Sequence, residues 1–231
     1  KWIFDRSPLP DPHGKGALAV KFLKLLKHPK SQAKGQAFEL FPFMDRIVRR
    51  VYGDTRPDGQ RKVKTVFLML PRGNRKTTLG AGLVMLHTIG PEKINGGYAV
   101  SAAVDREQAR IAYDEAVGMI QCHPRIARAT NVRDTKSLIE HHKSGSVYHA
   151  VSSDGAAQHG KTPTFVLADE LHTWKKADLW NALRTGVVKT ANSITWIITT
   201  AGKGQMNLAY DLYKYAKQIE AGEIEDDAFL P

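Results

Sequence analysis

The sequence predicts an α/β fold in which a mostly parallel β-sheet is flanked by helices. The first observation is a set of apolar runs typical of buried strands, at residues 65–70, 97–103, 164–169 and 193–200. The second is that helical patterns alternate with these runs. Because strand–helix–strand alternation requires crossover connections, the strands are expected to run parallel with helices covering the sheet.

The elements outside this alternation follow from local patterns. Residues 1–64 are expected to form a basic helical extension that packs on the core, with helices at 16–28 and 42–53. Residues 65–219 are predicted to be the core, with helices at 76–90, 105–121, 177–189 and 206–222. The segment 136–152 contains two alternating stretches around "KSGS", which predicts a β-hairpin insertion. Residues 220–231 are acidic and predict a linker toward a further domain.

The charge distribution indicates an anionic partner. The chain has 231 residues and a net charge of +11. Residues 1–64 carry +9 of that charge, which favours nucleic acid over a membrane surface, with a solvated basic face as the alternative. The single cysteine, Cys122, excludes a disulfide framework, and the histidines show no H-E-x-x-H pattern. No run of 18 apolar residues predicts a membrane span.

The segment "LPRGNRKTT", Leu70 to Thr78, lies between a predicted buried strand and a predicted helix. It resembles the phosphate-binding template G-x-x-x-x-G-K-[ST]: Lys76 and Thr77 match, whereas Leu70 and Arg75 replace the two glycines. This position directs backbone N–H groups and the positive helix end toward an anion. Lys76 is expected to reach the β- and γ-phosphates, and the Thr77 hydroxyl to coordinate Mg²⁺. A basic loop that only precedes a helix is the alternative.

Polar residues end two other predicted strands. Asp169 and Glu170 follow the apolar run "TFVLA", where two carboxylates are costly unless they are used or solvated. In a phosphate-loop enzyme the first would hold Mg²⁺, and the second would orient and deprotonate the attacking water. Thr199 and Thr200 end the run "SITWIITT" and would lie near the γ-phosphate if that strand neighbours the loop strand. The alternatives are a helix-capping acidic pair and a polar strand end.

Taken together, these motifs resemble the ATPase domain of the large terminase subunit of tailed double-stranded DNA phages. The resemblance runs from about residue 17 to 231 and rests on "PRGNRKT" as Walker A, "FVLADELH" as Walker B and "TTA" as the coupling motif. The segments "AVSAAVDREQARIAYDEA" and "FELFPFMDRIV" also resemble parts of these proteins. The resemblance implies a P-loop NTPase fold of the ASCE type, with the 193–200 strand between the two Walker strands.

The resemblance also implies a site for ATP and Mg²⁺. Glu170, Arg72 and Lys76 would be catalytic, Thr77 and Asp169 would hold the metal, and Thr199 and Thr200 would couple hydrolysis to movement. Arg72 would contact the γ-phosphate, with a salt bridge as its alternative. The nucleotide-binding residues would be Phe43 and Met44, which replace the family's usual Trp and Gln on the adenine side, and Arg72, Gly73, Asn74, Arg75, Lys76, Thr77 and Thr78.

Arg75 departs from the pattern because it occupies the position of a glycine. If the backbone there needs a positive φ, an arginine costs about 1 kcal/mol or more. Its side chain is expected to point toward solvent, and the loop to be distorted when no nucleotide is bound.

Members of the family act as motors, which implies partners and a location. We expect sequence-independent phosphate contacts to double-stranded DNA, portal protein and small terminase subunit as partners, and the host cell cytoplasm. The chain would form a homo-oligomeric ring when packaging and be a monomer as an isolated domain. Lys161 is the candidate that would reach a neighbour's site, with Arg125, Arg128 and Arg133 as competitors. Nuclease activity is not expected from this chain.

Two other functions remain open at the level of sequence. A DExH-type helicase or translocase is the first, because "DELH" fits D-E-x-H. Such an enzyme needs a second domain facing the same ATP, which the residues after the coupling strand do not supply. The second is a degenerate loop that only binds DNA, against which the intact Lys76, Thr77, Asp169 and Glu170 argue.

Overall fold

The computed structural model describes residues 2–30, 32–152, 162–174, 178–202 and 204–231. Within these ranges the strands are β1 Thr65–Met69, β2 Tyr98–Ala103, β3 Thr130–Arg133, β4 Leu138–His141, β5 Val147–Ser152, β6 Phe165–Asp169, β7 Ile194–Thr199 and β8 Phe229–Leu230. The helices are α1 Lys15–Leu25, α2 Pro42–Gly53, α3 Lys76–Thr88, α4 Arg106–Gln121, α5 Pro124–Ala129, α6 Asp178–Val187 and α7 Leu208–Glu220. Short 3₁₀ turns cover Asp134–Lys136 and Leu171–Thr173.

These strands form one eight-stranded sheet within the described ranges, in the order β3-β4-β5-β2-β6-β7-β1-β8. All neighbouring pairs are parallel except β3 with β4 and β4 with β5. The predicted α/β class and mostly parallel sheet are therefore confirmed. Strand β7 lies between β6 and β1, so the carboxyl ends of these three strands meet at one edge of the sheet.

The sheet is covered on both faces, which explains why its central strands are apolar throughout. All six residues of β7 are buried. Alternate side chains belong to different clusters: Trp196 packs with the cluster that includes α1 to α4, and Ile197 packs with the one that includes α6 and α7.

The described helices include none with the length and apolar character that a membrane crossing requires.

The N-terminal helices belong to the same packed cluster as α3. Leu23 of α1 and Val48 of α2 are fully buried beside Leu83 of α3. The first two helices therefore bury side chains in the same hydrophobic cluster as α3. Helix α1 ends at Leu25, earlier than expected, because the chain turns extended at Leu26 and Lys27 forms an antiparallel bridge with Ala37.

Three short elements were absent from the sequence-based prediction. They are α5, β3 and β8, and each is too short for periodicity to identify it. Strand β8 lies in the segment expected to be a linker, and it pairs with β1 through Thr65 and Phe229. The 136–152 segment does form an antiparallel hairpin, and its second strand, β5, also pairs in parallel with β2.

Candidate nucleotide-binding site

The loop between β1 and α3 contains two left-handed residues. Gly73 has φ 86°, and Arg75, which immediately precedes α3, has φ 51° and ψ 30°. A glycine would adopt either conformation without steric cost, whereas an arginine there is strained by about 1 kcal/mol. The backbone at Arg75 is therefore in the conformation for which the phosphate-loop template uses glycine.

The side chain of Arg75 is exposed but not simply solvated. Its guanidinium lies over the ring of Phe41, 5.1 Å from the centroid. Phe41 in turn stacks on Phe43, with ring centroids 5.9 Å apart. The segment before α2 therefore contacts the phosphate loop through Arg75. This differs from the prediction, in which the Arg75 side chain points toward solvent.

Lys76, the first residue of α3, is directed into the site. Its side chain is 7% exposed, and its ammonium group donates a hydrogen bond to the Leu70 carbonyl oxygen at 2.9 Å. The same nitrogen lies 3.5 Å from Glu170 Oε1. The Asn74 amide donates to the Pro71 carbonyl oxygen at 3.1 Å, which closes the loop on itself. The loop thus holds a cation beside the first turn of α3, whose N–H groups have no helical acceptors.

The two adjacent carboxylates differ in environment. Asp169 is the last residue of β6, and burial together with the charge of Glu170 raises the pKa of Asp169 from 3.8 to about 6. Glu170 has φ 47°, a strained left-handed conformation of the kind that clusters at functional sites. A raised carboxyl pKa at this position indicates a group that a bound cation would stabilise in its charged form.

Glu170 is held by hydrogen bonds from the end of β7 and from the turn after β6. Its Oε2 accepts from the Thr200 backbone N–H at 3.3 Å and from the Thr200 hydroxyl at 3.2 Å. The Nδ1 atom of His172 lies 3.2 Å from the same oxygen and 3.0 Å from the Thr199 hydroxyl oxygen. Both threonines expected to couple hydrolysis therefore connect to Glu170, Thr200 directly and Thr199 through His172.

The loop residues, the two carboxylates and His172 line one end of a cavity of about 670 Å³. Within the described ranges, no cluster of three or more His, Cys, Asp or Glu side chains could hold a metal ion. The side chains that do line the cavity suit Mg²⁺ held jointly by protein and phosphate oxygens, because Mg²⁺ is usually bound through one or two carboxylates and substrate phosphates. The lining residues at this end are Arg72, Gly73, Lys76, Thr77, Thr78, Asp169, Glu170 and His172.

The structure corrects one predicted contact and leaves another outside its scope. Met44 is 0% exposed and packs inside the main hydrophobic cluster, because it lies on the inner face of α2, so its side chain does not line the cavity as expected. Phe43 is partly buried against that cluster. Arg72 is exposed at the cavity and forms no ion pair with any described residue. Lys161 lies outside the described residues.

Sequence reasoning missed several residues of the cavity. His172 could have been found, because it follows the acidic pair within "DELH". The other end of the cavity is lined by residues to which the sequence analysis assigned no role, although three of them lie in the segment 99–116 that resembles the family. They come from the α1–α2 loop and from one face of α4. They are Lys30, Gln108, Ile111 and Glu115.

Comparison with known proteins gave consistent matches. Residues 42–218 match the family described as terminase large subunit, ATPase domain. A curated relative, the large terminase subunit of Enterobacteria phage HK97, is 27% identical over 182 residues, which is 78% of this chain and 35% of the relative. The chain therefore spans about a third of that relative's length.

Solved structures support the same fold. The crystal structure of the HK97 bacteriophage large terminase matches with a TM-score of 0.81 and 24% identity, over 94% of this chain and 43% of that one. The Thermus phage P74-26 large terminase ATPase domain matches with a TM-score of 0.52 and 19% identity, over 65% and 64% of the two chains. The large terminase of another thermophilic bacteriophage, solved in complex with ADP, matches with a TM-score of 0.53 and 12% identity, over 73% and 39%.

Proposed function

The chain belongs to the family of terminase large subunit ATPase domains, and from this membership we propose that it binds ATP with Mg²⁺ and hydrolyses it to drive double-stranded DNA into a procapsid. One observation carries the proposal. The carboxyl ends of β1, β6 and β7 bring Lys76 within 3.5 Å of Glu170, and Thr200 within 3.3 Å of the same carboxylate. An ATPase requires a phosphate-binding cation and a general base in one cavity, and this arrangement supplies both.

The phosphate loop is assigned to hold the nucleotide. The first-turn N–H groups of α3 and the Lys76 ammonium group would bind phosphate oxygens, in place of the present contacts of Lys76 to Leu70 and Glu170. Thr77 and Asp169 would hold Mg²⁺, whose charge favours the ionised form of Asp169. Arg72 is exposed at the cavity and would contact the γ-phosphate.

The chemistry is assigned to Glu170. As the oxygen of a water molecule bonds to the γ-phosphorus and ADP leaves, Glu170 would accept the proton that the water loses. Mg²⁺, when bound, supplies neutralisation of the charge on the phosphate oxygens. Thr200 would sense this change of state, because its N–H and hydroxyl both donate to Glu170 Oε2.

The partners follow from the family and from the charge. We assign sequence-independent contacts with double-stranded DNA to the basic N-terminal third of the chain, which carries +9 of the net charge. Portal protein and small terminase subunit are the proposed protein partners, in the host cytoplasm, and a ring of identical chains is the proposed working assembly. Lys161 is retained as the candidate for a contact to a neighbouring site. The family match favours this function over a helicase.

A phosphate-release assay tests the enzymatic proposal. With Mg²⁺ and ATP the chain is expected to release phosphate, faster with double-stranded DNA and at higher protein concentration. Glu170→Gln should lower the rate by about 10²- to 10⁴-fold and leave ATP affinity unchanged, because it removes the general base but not the phosphate contacts. Glu107→Gln, an exposed position on α4 that does not line the cavity, is the matched control.

Three results would contradict the proposal. Absence of turnover with and without DNA would exclude an ATPase. A rate that Glu170→Gln does not change would exclude the assigned base. Separation of DNA strands without a portal would favour the helicase.

A further inference from the structure

The cavity extends well beyond the residues assigned to phosphate and metal. From Thr78 it continues along α4 to the loop after α1, where Lys30 forms its far wall. The remaining space can accommodate the nucleoside of a nucleotide whose phosphates bind the loop. The residues of this far end should therefore contact the ribose or the base, and they are different from those in the segment that the family resemblance assigns to adenine.

One face of α4 forms the long wall of this far end. Gln108, Ile111 and Glu115 follow one another at spacings of three and four, which puts them on one side of the helix. From Gln108 to Glu115 the helix rises by about 10 Å. Ile111 is 38% exposed, so an apolar side chain faces the cavity between two polar ones.

Glu115 is the unusual member of this face, because it is a buried carboxylate with one unsatisfied oxygen. Its side chain is 3% exposed, and Oε1 pairs with the Lys30 ammonium group at 2.6 Å. Its second oxygen, Oε2, is buried and has no hydrogen-bond partner among the described residues. Leaving a buried carboxylate oxygen without a donor is unfavourable, and a donor from a ligand in the cavity would remove that penalty.

The packing of the loop on α4 shows that this ion pair is part of a built site. Pro29 sits against Gly118, one turn after Glu115. A Cβ atom at Gly118 would lie 2.5 Å from Pro29 Cβ and 3.3 Å from its Cα. Only glycine therefore allows the loop to approach the helix this closely, and the approach brings Lys30 to Glu115.

We propose that Glu115, positioned by Lys30, is the residue that recognises the nucleoside of the bound nucleotide: its Oε2 accepts a hydrogen bond from a ribose hydroxyl or from the exocyclic amine of adenine. This rests on the proposed ATP-binding function. An ionised carboxylate is an acceptor only, so the ligand must supply the donor, and both of these groups are donors. Ile111 packs against the same nucleoside. Met44 cannot serve this purpose because it is buried in the core.

Calorimetric titration with Mg²⁺ and five ligands tests the proposal. The ligands are ATP, 2′-deoxyATP, 3′-deoxyATP, purine riboside triphosphate, which lacks the exocyclic amine, and tripolyphosphate, which lacks the nucleoside. Glu115→Met keeps an unbranched side chain of similar length and removes the acceptor. Asp114→Met makes the same change at the neighbouring exposed carboxylate and is the matched control.

Glu115→Met is expected to weaken ATP binding about tenfold, as befits the loss of one hydrogen bond to a charged group, and to leave tripolyphosphate unchanged. Wild-type protein should bind one of the three analogues about tenfold more weakly than ATP, and that analogue identifies the donor. Glu115→Met should then add no further loss with that analogue. Asp114→Met should bind all five ligands as wild type does.

Several results would overturn the inference. One is that wild-type protein binds ATP and the three analogues with equal affinity. This comparison uses wild-type protein alone, so it remains informative even if the variant does not fold. Another is Glu115→Met weakening ATP and tripolyphosphate alike, which would indicate a structural role. Wild-type protein that binds neither ATP nor tripolyphosphate would refute the proposed function itself, and this inference with it. Tight ATP binding that Glu115→Met does not alter would refute the inference alone.

Discussion

The two ends of the cavity are built in different ways. At the end that we propose binds the phosphates, the site residues lie at or shortly after the carboxyl ends of strands β1, β6 and β7, and parallel pairing brings them to one edge of the sheet. At the end that we propose binds the nucleoside, the contributing segments are the α1–α2 loop and one face of α4, which meet through tertiary packing. Short motifs therefore specify the chemistry, whereas tertiary contacts between distant segments specify what is recognised.

The largest effect is expected at the phosphate end, from Lys76→Ala. The change removes the ammonium group that faces the cavity, so ATP and tripolyphosphate affinity should both fall by about 100-fold, the loss expected for charge-assisted contacts. Lys189→Ala, an exposed lysine on the opposite face of the sheet, is the control. Calorimetry measures both variants. A loss confined to ATP, with tripolyphosphate unchanged, would erase the distinction between the two ends.

Thr200→Val tests whether the phosphate end includes the end of β7. Valine keeps the shape and the backbone N–H but removes the hydroxyl donor to Glu170 Oε2. DNA-stimulated phosphate release should fall by about tenfold, in keeping with one lost hydrogen bond, while ATP affinity stays constant. Thr185→Val, whose hydroxyl donates to the Asn181 carbonyl oxygen within α6, is the control. An unchanged rate would argue that Thr200 is only a strand terminus.

Asp169→Asn tests whether the buried charge of Asp169, next to Glu170, destabilises the folded protein. In the folded protein the pKa of Asp169 rises from 3.8 to about 6. Between about pH 4 and 6 the folded protein therefore keeps a proton on Asp169 that the unfolded chain has lost. Stability must therefore fall as pH rises through that window, and the cost persists above it. At pH 7.5, without nucleotide, Asp169→Asn should melt about 2–4 °C higher than wild type, the shift that about 1 kcal/mol produces in a domain of this size.

The gain should vanish near pH 4, where both forms of residue 169 are neutral. Thermal unfolding at the two pH values measures it, with Asp227→Asn, an exposed carboxylate in the C-terminal segment, as control. If Asp169→Asn does not raise the melting temperature at pH 7.5, the charge of Asp169 beside Glu170 does not destabilise the fold.

The same contrast explains how much of the molecule the sequence could predict. The buried strands, α3 and the residues after β1, β6 and β7 were predictable, because each is a local pattern in which an apolar run ends in polar residues. Strands β3 and β8 were not, because they are short and depend on a neighbouring strand at the sheet edge. Met44 was assigned to the adenine by position in a motif, and the inner face of α2 buries it.

Glu115 shows the same limit within the site. It lies in a segment that resembles the family, but the helical pattern there does not distinguish it from an ordinary helical glutamate. Glu115 pairs with Lys30 because Pro29 contacts Gly118, and this contact joins segments about ninety residues apart. The helical periodicity of α4 does not predict such a contact. Residues of this kind become visible only when the packing of the helices is known.

The smallest effect is expected at Arg75→Gly, in the loop before α3. Glycine relieves the left-handed strain, worth about 1 kcal/mol, but it also removes the guanidinium–Phe41 contact, worth about 0.5–1 kcal/mol, and makes the unfolded chain more flexible. These terms nearly cancel, so the free energy of unfolding should change by less than about 1 kcal/mol, and ATP affinity should be unchanged or higher. Phe41→Leu is the informative partner, because it removes the ring contact and leaves the strain, and it should destabilise by about 0.5–1 kcal/mol. Denaturant unfolding and calorimetry measure both variants. A large fall in ATP affinity for Arg75→Gly, with stability intact, would assign Arg75 a direct contact to the nucleotide.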